Sequence, residues 1–274
     1  MWSVVNIETH NVCNLGCKHC PYTSMTRPKQ AMSVELFQKI VGDIVINRIG
    51  TANLNIYGEP LLDPLIFDRI RYCKERSLKV QFTSNGTLLN DDTIGRLIDS
   101  KIDLIYFSFD GSNKEEYENI RIGSDFSKTK ESIENLLERK GKLPKVVIVS
   151  VLKSQNIWKD KADGFQTWPI DNRRILGLNS QVKTKRSFPC SRIFRELNIL
   201  SNGKVALCCL DFDGRKIIGD LNISSISEVW NSMLFRTIQT IHLRGNRQLI
   251  NICKDCMRPS IEKLSWRRAL WNLL

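Results

Sequence analysis

"ETHNVCNLGCKHCPYTS", residues 8–24, places three cysteines, Cys13, Cys17 and Cys20, within eight positions. The stretch follows a short apolar run at residues 4–8 that reads as a strand. It precedes a helical pattern at 34–46, so the thiols fall in a strand-to-helix loop. The alternation continues, with candidate strands at 52–57, 79–83, 104–109, 145–151 and 165–170 and helical patterns at 65–75, 91–99 and 128–140. Ser33 fits an N-cap, with Glu35 in the first turn behind it. Such alternation reads as parallel βα units. Six of them predict an α/β fold, a partial TIM-like (β/α)6 barrel rather than a closed eightfold one. Chemistry in these sheets sits in the loops after the strands, which is where the three cysteines lie.

Near residue 178 the pattern changes. "ELNILSNGKVALCC" (196–209) sets two apolar runs around Asn202-Gly203, a strong hairpin signal. "SISEVWNSMLFRTIQTIHLRG" (225–245) reads as one amphipathic helix, opened by Ser225 and Glu228 at capping-box spacing and closed by Gly245. "NICKDC" (251–256) follows. The expected division is a barrel over 1–177 and a small hairpin-plus-helix domain with the C-terminal tail over 178–274. The last stretch, 261–274, reads as a basic amphipathic helix packed on that small domain rather than on a membrane.

Composition narrows the class. The chain has 274 residues, 42% hydrophobic and 26% charged, enough for a full core. The N-terminus lacks a signal-peptide pattern, and no apolar run approaches about 20 residues. A cytoplasmic, reducing location follows as the expectation, in which nine cysteines serve as ligands or reactive thiols more than as disulfides. The net charge of +12 is spread along the chain, densest at Lys183–Arg186 and Arg267-Arg268, with no aromatic-interleaved basic stripe. Nucleic acid is therefore not the expected partner.

A structural zinc site takes four protein ligands, and an iron–sulfur cube has four iron corners. Three thiolates on one loop leave one corner of a cube open for a substrate or cofactor. A zinc knuckle completed from elsewhere in the chain is the alternative.

The C-x3-C-x2-C spacing, with His19 before the third cysteine, resembles the signature of the radical S-adenosylmethionine (SAM) superfamily. That resemblance implies a [4Fe–4S] cluster on Cys13, Cys17 and Cys20. Its free iron is chelated by SAM, which is cleaved to a 5′-deoxyadenosyl radical that abstracts hydrogen from substrate. Further segments match. "YGEP" carries Gly58 and Glu59, similar to the motif that holds the SAM amino group. "TSNGTLL" places Ser84 and Asn85 over the same mouth. "SFDG" supplies Ser108 and Asp110, like the family's ribose-contacting segment, and Arg121 in "YENIRIG" matches an arginine near the SAM carboxylate. Two departures stand out. The usual double glycine is Tyr57-Gly58 here, and the adenine-side motif on the fifth strand is poorly marked, leaving Val149 and Asn156 as its weak matches.

Cys190, Cys208, Cys253 and Cys256 form C-x17-C and then C-x2-C. With "IGDLNISSISEVWNS" they resemble the twitch domain, a shortened SPASM domain. This implies one auxiliary [4Fe–4S] cluster with no open corner. A four-thiolate zinc site is the alternative. Cys73 reads as core, and Cys209, next to Cys208, reads as packing rather than as a ligand or hydrogen donor.

Among family members with one auxiliary cluster, the layout resembles 2-deoxy-scyllo-inosamine dehydrogenase, including Arg173 in "DNRRILG" as a catalytic position. That resemblance implies oxidation of an alcohol on an aminocyclitol, sugar or other small polar metabolite. It also implies an acidic flavodoxin or ferredoxin as electron donor, which suits the positive charge. Radical crosslinking or epimerisation of a ribosomally made peptide is the rival, disfavoured because the chain begins at its first strand. A zinc-containing nucleic-acid-binding protein is the alternative from another class.

Overall fold

The computed structural model describes residues 3–152, 157–168, 189–254 and 256. Among the described residues, nine strands form one sheet in the order β6-β5-β4-β3-β2-β1-β7-β8-β9. The first six are β1 (Val4–Ile7), β2 (Thr51–Asn53), β3 (Lys79–Ser84), β4 (Leu104–Ser108), β5 (Lys145–Ser150) and β6 (Gly164–Thr167). They pair in parallel, each with its predecessor, which is the partial barrel expected. The helices between them are α1 (Val34–Ile46), α2 (Ile66–Lys74), α3 (Asp91–Asp99), α4 (Lys114–Ile120) and α5 (Phe126–Arg139).

The caps explain the helix starts. Ser33, Asn90, Asn113 and Asp125 each accept a backbone N–H of the first turn. Alternation sorts the strands into two faces. Val5, Ile7, Ala52, Val80, Phe82, Ile105, Phe107, Val146 and Ile148 are buried, and they join Phe37, Ile40, Ile44, Ile70 and Leu97 of the helices in one core. Asn6, Asn53 and Asn198 occupy the opposite, concave face. Asn53 Nδ2 donates to Asn6 Oδ1 at 2.9 Å, and Asn6 Nδ2 donates to Asn198 Oδ1 at 2.8 Å.

Three features differ from the sequence reading. The predicted hairpin, β7 (Glu196–Ile199) and β8 (Lys204–Ala206), forms, and it joins the same sheet as the barrel strands. β7 pairs in parallel with β1, and β9 (Ile217–Asp220) adds an unforeseen antiparallel strand. The single helix over 225–245 is two, α6 (Ile226–Asn231) and α7 (Met233–Leu243). Ser232 leaves helical geometry at ψ 146° and caps α7 by accepting Phe235 N–H, while the Ser225–Glu228 capping box forms as expected. β2 stops at Asn53, because Asn55 turns its side chain onto the backbone of Thr83. The boundary at 177/178, Asn156, Arg173, Lys183–Arg186 and the 261–274 tail lie outside the described residues. No helix among the described residues is long and apolar enough to cross a membrane.

Candidate active site

The loops after β1 to β4 converge at one end of the sheet. The cysteine loop is pinned from two sides. Gly16 N–H and Lys18 N–H donate to the carbonyls of Ile122 and Ile120 at 3.0 and 2.9 Å, at and just beyond the end of α4. On the other side Glu59 N–H donates to the Val12 carbonyl at 2.8 Å, and the His10 ring bonds the Glu59 carbonyl at 2.7 Å. Gly58 between them has φ +94°, and a Cβ there would sit 2.9 Å from Val12 O and 3.0 Å from His10 O. One glycine therefore meets both demands of the turn. Tyr57, at the place of the other, sets its ring edge-on to Phe212 in the β8–β9 connection, with centroids 6.4 Å apart. Burial first, and then Cys209, Cys20, Cys208 and Glu8, push the Tyr57 hydroxyl pKa well up. Its hydroxyl thus feels thiols of both cysteine groups.

Glu59 is 2% exposed. Its carboxylate accepts Ser84 Oγ–H at 2.8 Å, Asn85 N–H at 2.7 Å and Leu61 N–H at 3.1 Å. Burial raises its pKa and these donors oppose the rise. Among the described residues no cation reaches it within ion-pair distance. Asn85 Nδ2 also donates to Asn14 Oδ1 at 2.9 Å and stands 4.0 Å from Cys13 Sγ.

Ser108 ends β4, and Asp110 behind it is fully buried. Asp110 pairs with Arg121 Nη2 at 2.7 Å and accepts Val151 N–H at 2.6 Å. Arg121 Nη1 lies 3.8 Å from Cys17 Sγ. Burial alone would lower the Arg121 pKa, but Asp110 and Cys17 outweigh it and hold it up. Arg121 Nε is buried without a hydrogen-bond partner among the described residues. Burial, then Arg121, push the His19 pKa down to about 4. Val149 is buried in β5.

The residues present fit the family's cofactors. Burial pushes the Cys13 thiol up to about 11, with Glu59, Cys17 and Cys20 adding to the rise. Such crowded thiols become thiolates when a cationic cluster supplies the missing charge. A buried carboxylate without a cation and a buried guanidinium with an unspent N–H match the ammonium and carboxylate of an amino acid.

The second cysteine group assembles from the far edge of the sheet. Cys190 opens a short 3-10 turn before β7, Cys208 follows β8, Cys253 lies in α8 (Asn251–Lys254) and Cys256 follows it. Burial raises the Cys190 and Cys253 thiols, Cys253 to about 12, and each also feels Cys256. Cys208 is raised first by its hydrogen bond to Cys209 and feels Cys190. Among the described residues no three His, Cys, Asp or Glu side chains converge as around a single metal ion. A four-iron cube takes each thiolate on a different iron and needs no such convergence.

Cys209, expected to pack, has a polar partner that the sequence did not indicate. Arg192 Nη1 donates to its sulfur at 2.6 Å and also meets Glu196 at 3.3 Å. Donation from Cys208 and the Arg192 charge pull the Cys209 thiol down against burial. Sequence reasoning also missed the clamp between the two halves. Arg27 forms a two-pronged ion pair with Glu8 and donates through Nε to the Phe212 carbonyl at 2.5 Å, while Glu8 accepts Ser201 N–H at 3.0 Å. A carboxylate at the mouth end of a strand was the available signal. Cys73 sits fully buried in α2, as expected.

The chain spans only 38% of an uncharacterized protein of Methanocaldococcus jannaschii, to which it is 34% identical over 122 residues, 44% of its own length. It is 21% identical over 280 residues to the S-adenosyl-L-methionine-dependent 2-deoxy-scyllo-inosamine dehydrogenase of Niallia circulans, covering 96% of this chain and 95% of that one. Its fold matches the crystal structure of BtrN in complex with AdoMet and 2-DOIA, with TM-score 0.71, 17% identity and 95% of each chain covered. An iron–sulfur cluster-binding SPASM model matches residues 190–257. With the barrel match this brings SAM, a SAM-binding four-iron cluster and an auxiliary one. A radical SAM superfamily model matches residues 7–160, more than half of the sequence, and the chain belongs to that superfamily of enzymes.

Proposed function

We propose that the chain is a radical SAM dehydrogenase that oxidises a carbinol of a small polar metabolite, in the class of aminocyclitols and sugars. The observation that carries this reading is the concave face of the sheet. Asn6, Asn53 and Asn198 tie three adjacent strands there by amide hydrogen bonds where an apolar lining would otherwise be expected. The end-to-end relationship to an aminocyclitol dehydrogenase supports it. When bound, SAM and its reduced cluster supply a one-electron oxidant that removes hydrogen from carbon.

The chain's own residues then have these roles. Cys13, Cys17 and Cys20 hold the open cluster. Glu59, oriented by Ser84 and Asn85, takes the SAM ammonium. Arg121, steadied by Asp110, directs its free N–H to the carboxylate. Gly58 lets the turn approach the cysteine loop, and His19 and Ser108 border the nucleoside. Cys190, Cys208, Cys253 and Cys256 hold the auxiliary cluster. Arg173 is kept as a substrate contact. Residues 1–177 form the SAM half and 178–274 the auxiliary half, and an acidic flavodoxin or ferredoxin delivers the electron.

The test is anaerobic incubation of the reconstituted enzyme with SAM, reductant and 2-deoxy-scyllo-inosamine or related aminocyclitols and sugars. Substrate-dependent 5′-deoxyadenosine together with a ketone product is expected. 5′-Deoxyadenosine formation that responds only to peptides would sink the reading.

A further inference from the structure

Outside the barrel mouth, His242 on α7 is a buried polar side chain with half of its hydrogen bonding unspent. It is 1% exposed. Its Nδ1 accepts the backbone N–H of Cys190 at 3.3 Å. A neutral imidazole that accepts at Nδ1 carries its proton on Nε2. That Nε2 is buried and has no hydrogen-bond partner among the described residues.

The surroundings narrow what the N–H can meet. Gln239, one turn earlier on α7, donates to the Ile193 carbonyl at 3.0 Å, so this face of α7 holds the turn that Cys190 opens. The ring also feels Arg247, whose Nη2 donates to the Cys256 carbonyl at 2.8 Å. His242 therefore holds the backbone of one cysteine and feels the arginine that clamps another. Thiolate and sulfide sulfurs are acceptors, and the cysteine group is where they would stand.

We propose that His242 is a positioning residue of the auxiliary cluster, fixing Cys190 through Nδ1 and donating its Nε2–H to a sulfur of the cluster. The inference rests on the auxiliary-cluster reading above. A donor to cluster sulfur disperses the charge of the reduced form and raises the reduction potential. His242 thereby favours the auxiliary group as an electron acceptor.

The test uses the reconstituted full chain and its His242→Asn and His242→Gln variants. Asn keeps an acceptor near Nδ1 and offers no donor at Nε2, whereas Gln keeps a donor near Nε2. Redox titration is followed by electron paramagnetic resonance, and the auxiliary signal is the one that added SAM leaves unchanged. His242→Asn is expected to shift the reduction equilibrium at least tenfold toward the oxidised form, about 59 mV for one electron, with His242→Gln within twofold of wild type. Loss of the auxiliary irons in the Asn variant alone also places the requirement on Nε2. An Asn variant that keeps its irons and the wild-type potential, or variants that shift or lose iron equally, would overturn the proposal. Wild type with only the SAM-sensitive signal would instead remove the auxiliary-cluster reading itself.

Discussion

A Cβ on Gly58 would meet the carbonyl oxygen of Val12 at 2.9 Å, inside any real carbon contact, and the residue holds φ +94°. The β2 turn is thus docked closely on the segment that leads into the cysteine loop, by the Glu59 N–H to Val12 carbonyl bond and by the His10 ring on the Glu59 carbonyl. Gly58→Ala should destabilise the protein by about 1–3 kcal/mol from the left-handed conformation and weaken SAM binding by displacing Val12. Gly50→Ala, where a Cβ meets nothing within 4 Å, is the control and should stay within about 0.5 kcal/mol. Urea denaturation of both variants, with SAM titrations, checks the difference.

Iron content tests both cysteine groups together. Two four-iron cubes predict about eight irons per chain after anaerobic reconstitution. Replacing Cys13, Cys17 and Cys20 with Ala should leave about four and abolish SAM cleavage. Replacing Cys190, Cys253 and Cys256 should also leave about four, with SAM binding retained. Zinc in place of iron with sulfide would refute the assignment of both groups.

The buried Glu59 carboxylate already holds three donors, so its remaining capacity suits one ammonium. Glu59→Ala removes a charge-assisted hydrogen bond of about 1.5–3 kcal/mol, roughly a tenfold to hundredfold loss of SAM affinity. The iron count should not change. Calorimetric titration of the reconstituted variant measures this, and undiminished affinity would take Glu59 out of the site.

The Glu8–Arg27 pair joins the cysteine loop to the auxiliary hairpin, since Glu8 also accepts Ser201 N–H and Arg27 reaches Phe212. Glu8 is fully buried, so Arg27→Met leaves an uncompensated charge and should cost about 3–5 kcal/mol. The double variant Glu8→Gln with Arg27→Met should recover part of that loss. Denaturation of the single and double variants gives the coupling directly.

Local chemistry made much of this legible. α1 and α3 begin and end where the sequence placed them, because Ser33 and Asn90 are caps whose partners lie three residues on. The cysteine spacing, the Gly58-Glu59 turn and the strand-end motifs are likewise local. What escaped depends on distant residues. β7 lies beside β1 through Asn6 and Asn198, 192 residues apart, which no periodicity reports. Gly219 hid β9, since its place under Val229, where a Cβ would clash at 2.4 Å, is a tertiary demand. The break at Ser232 was missed because the apolar period continues through it, although serine is a capping residue. Arg192 against Cys209 and His242 against Cys190 are also tertiary contacts, invisible in a linear pattern.

The net charge of +12 bears on electron delivery. A SAM-binding cluster must receive one electron at low potential for each SAM cleaved, and small acidic flavodoxins and ferredoxins are suitable carriers. Complementary charge raises the encounter rate more than the final affinity. Turnover driven by an acidic flavodoxin should therefore fall steeply as ionic strength passes about 0.15 M, where screening shortens to about 8 Å. Turnover driven by dithionite has no protein docking step and should change much less. If the charge instead serves an anionic substrate, the two reductants will share one salt dependence, expressed in the substrate KM. Both curves can be measured on one enzyme preparation, and parallel curves would rule out the docking role.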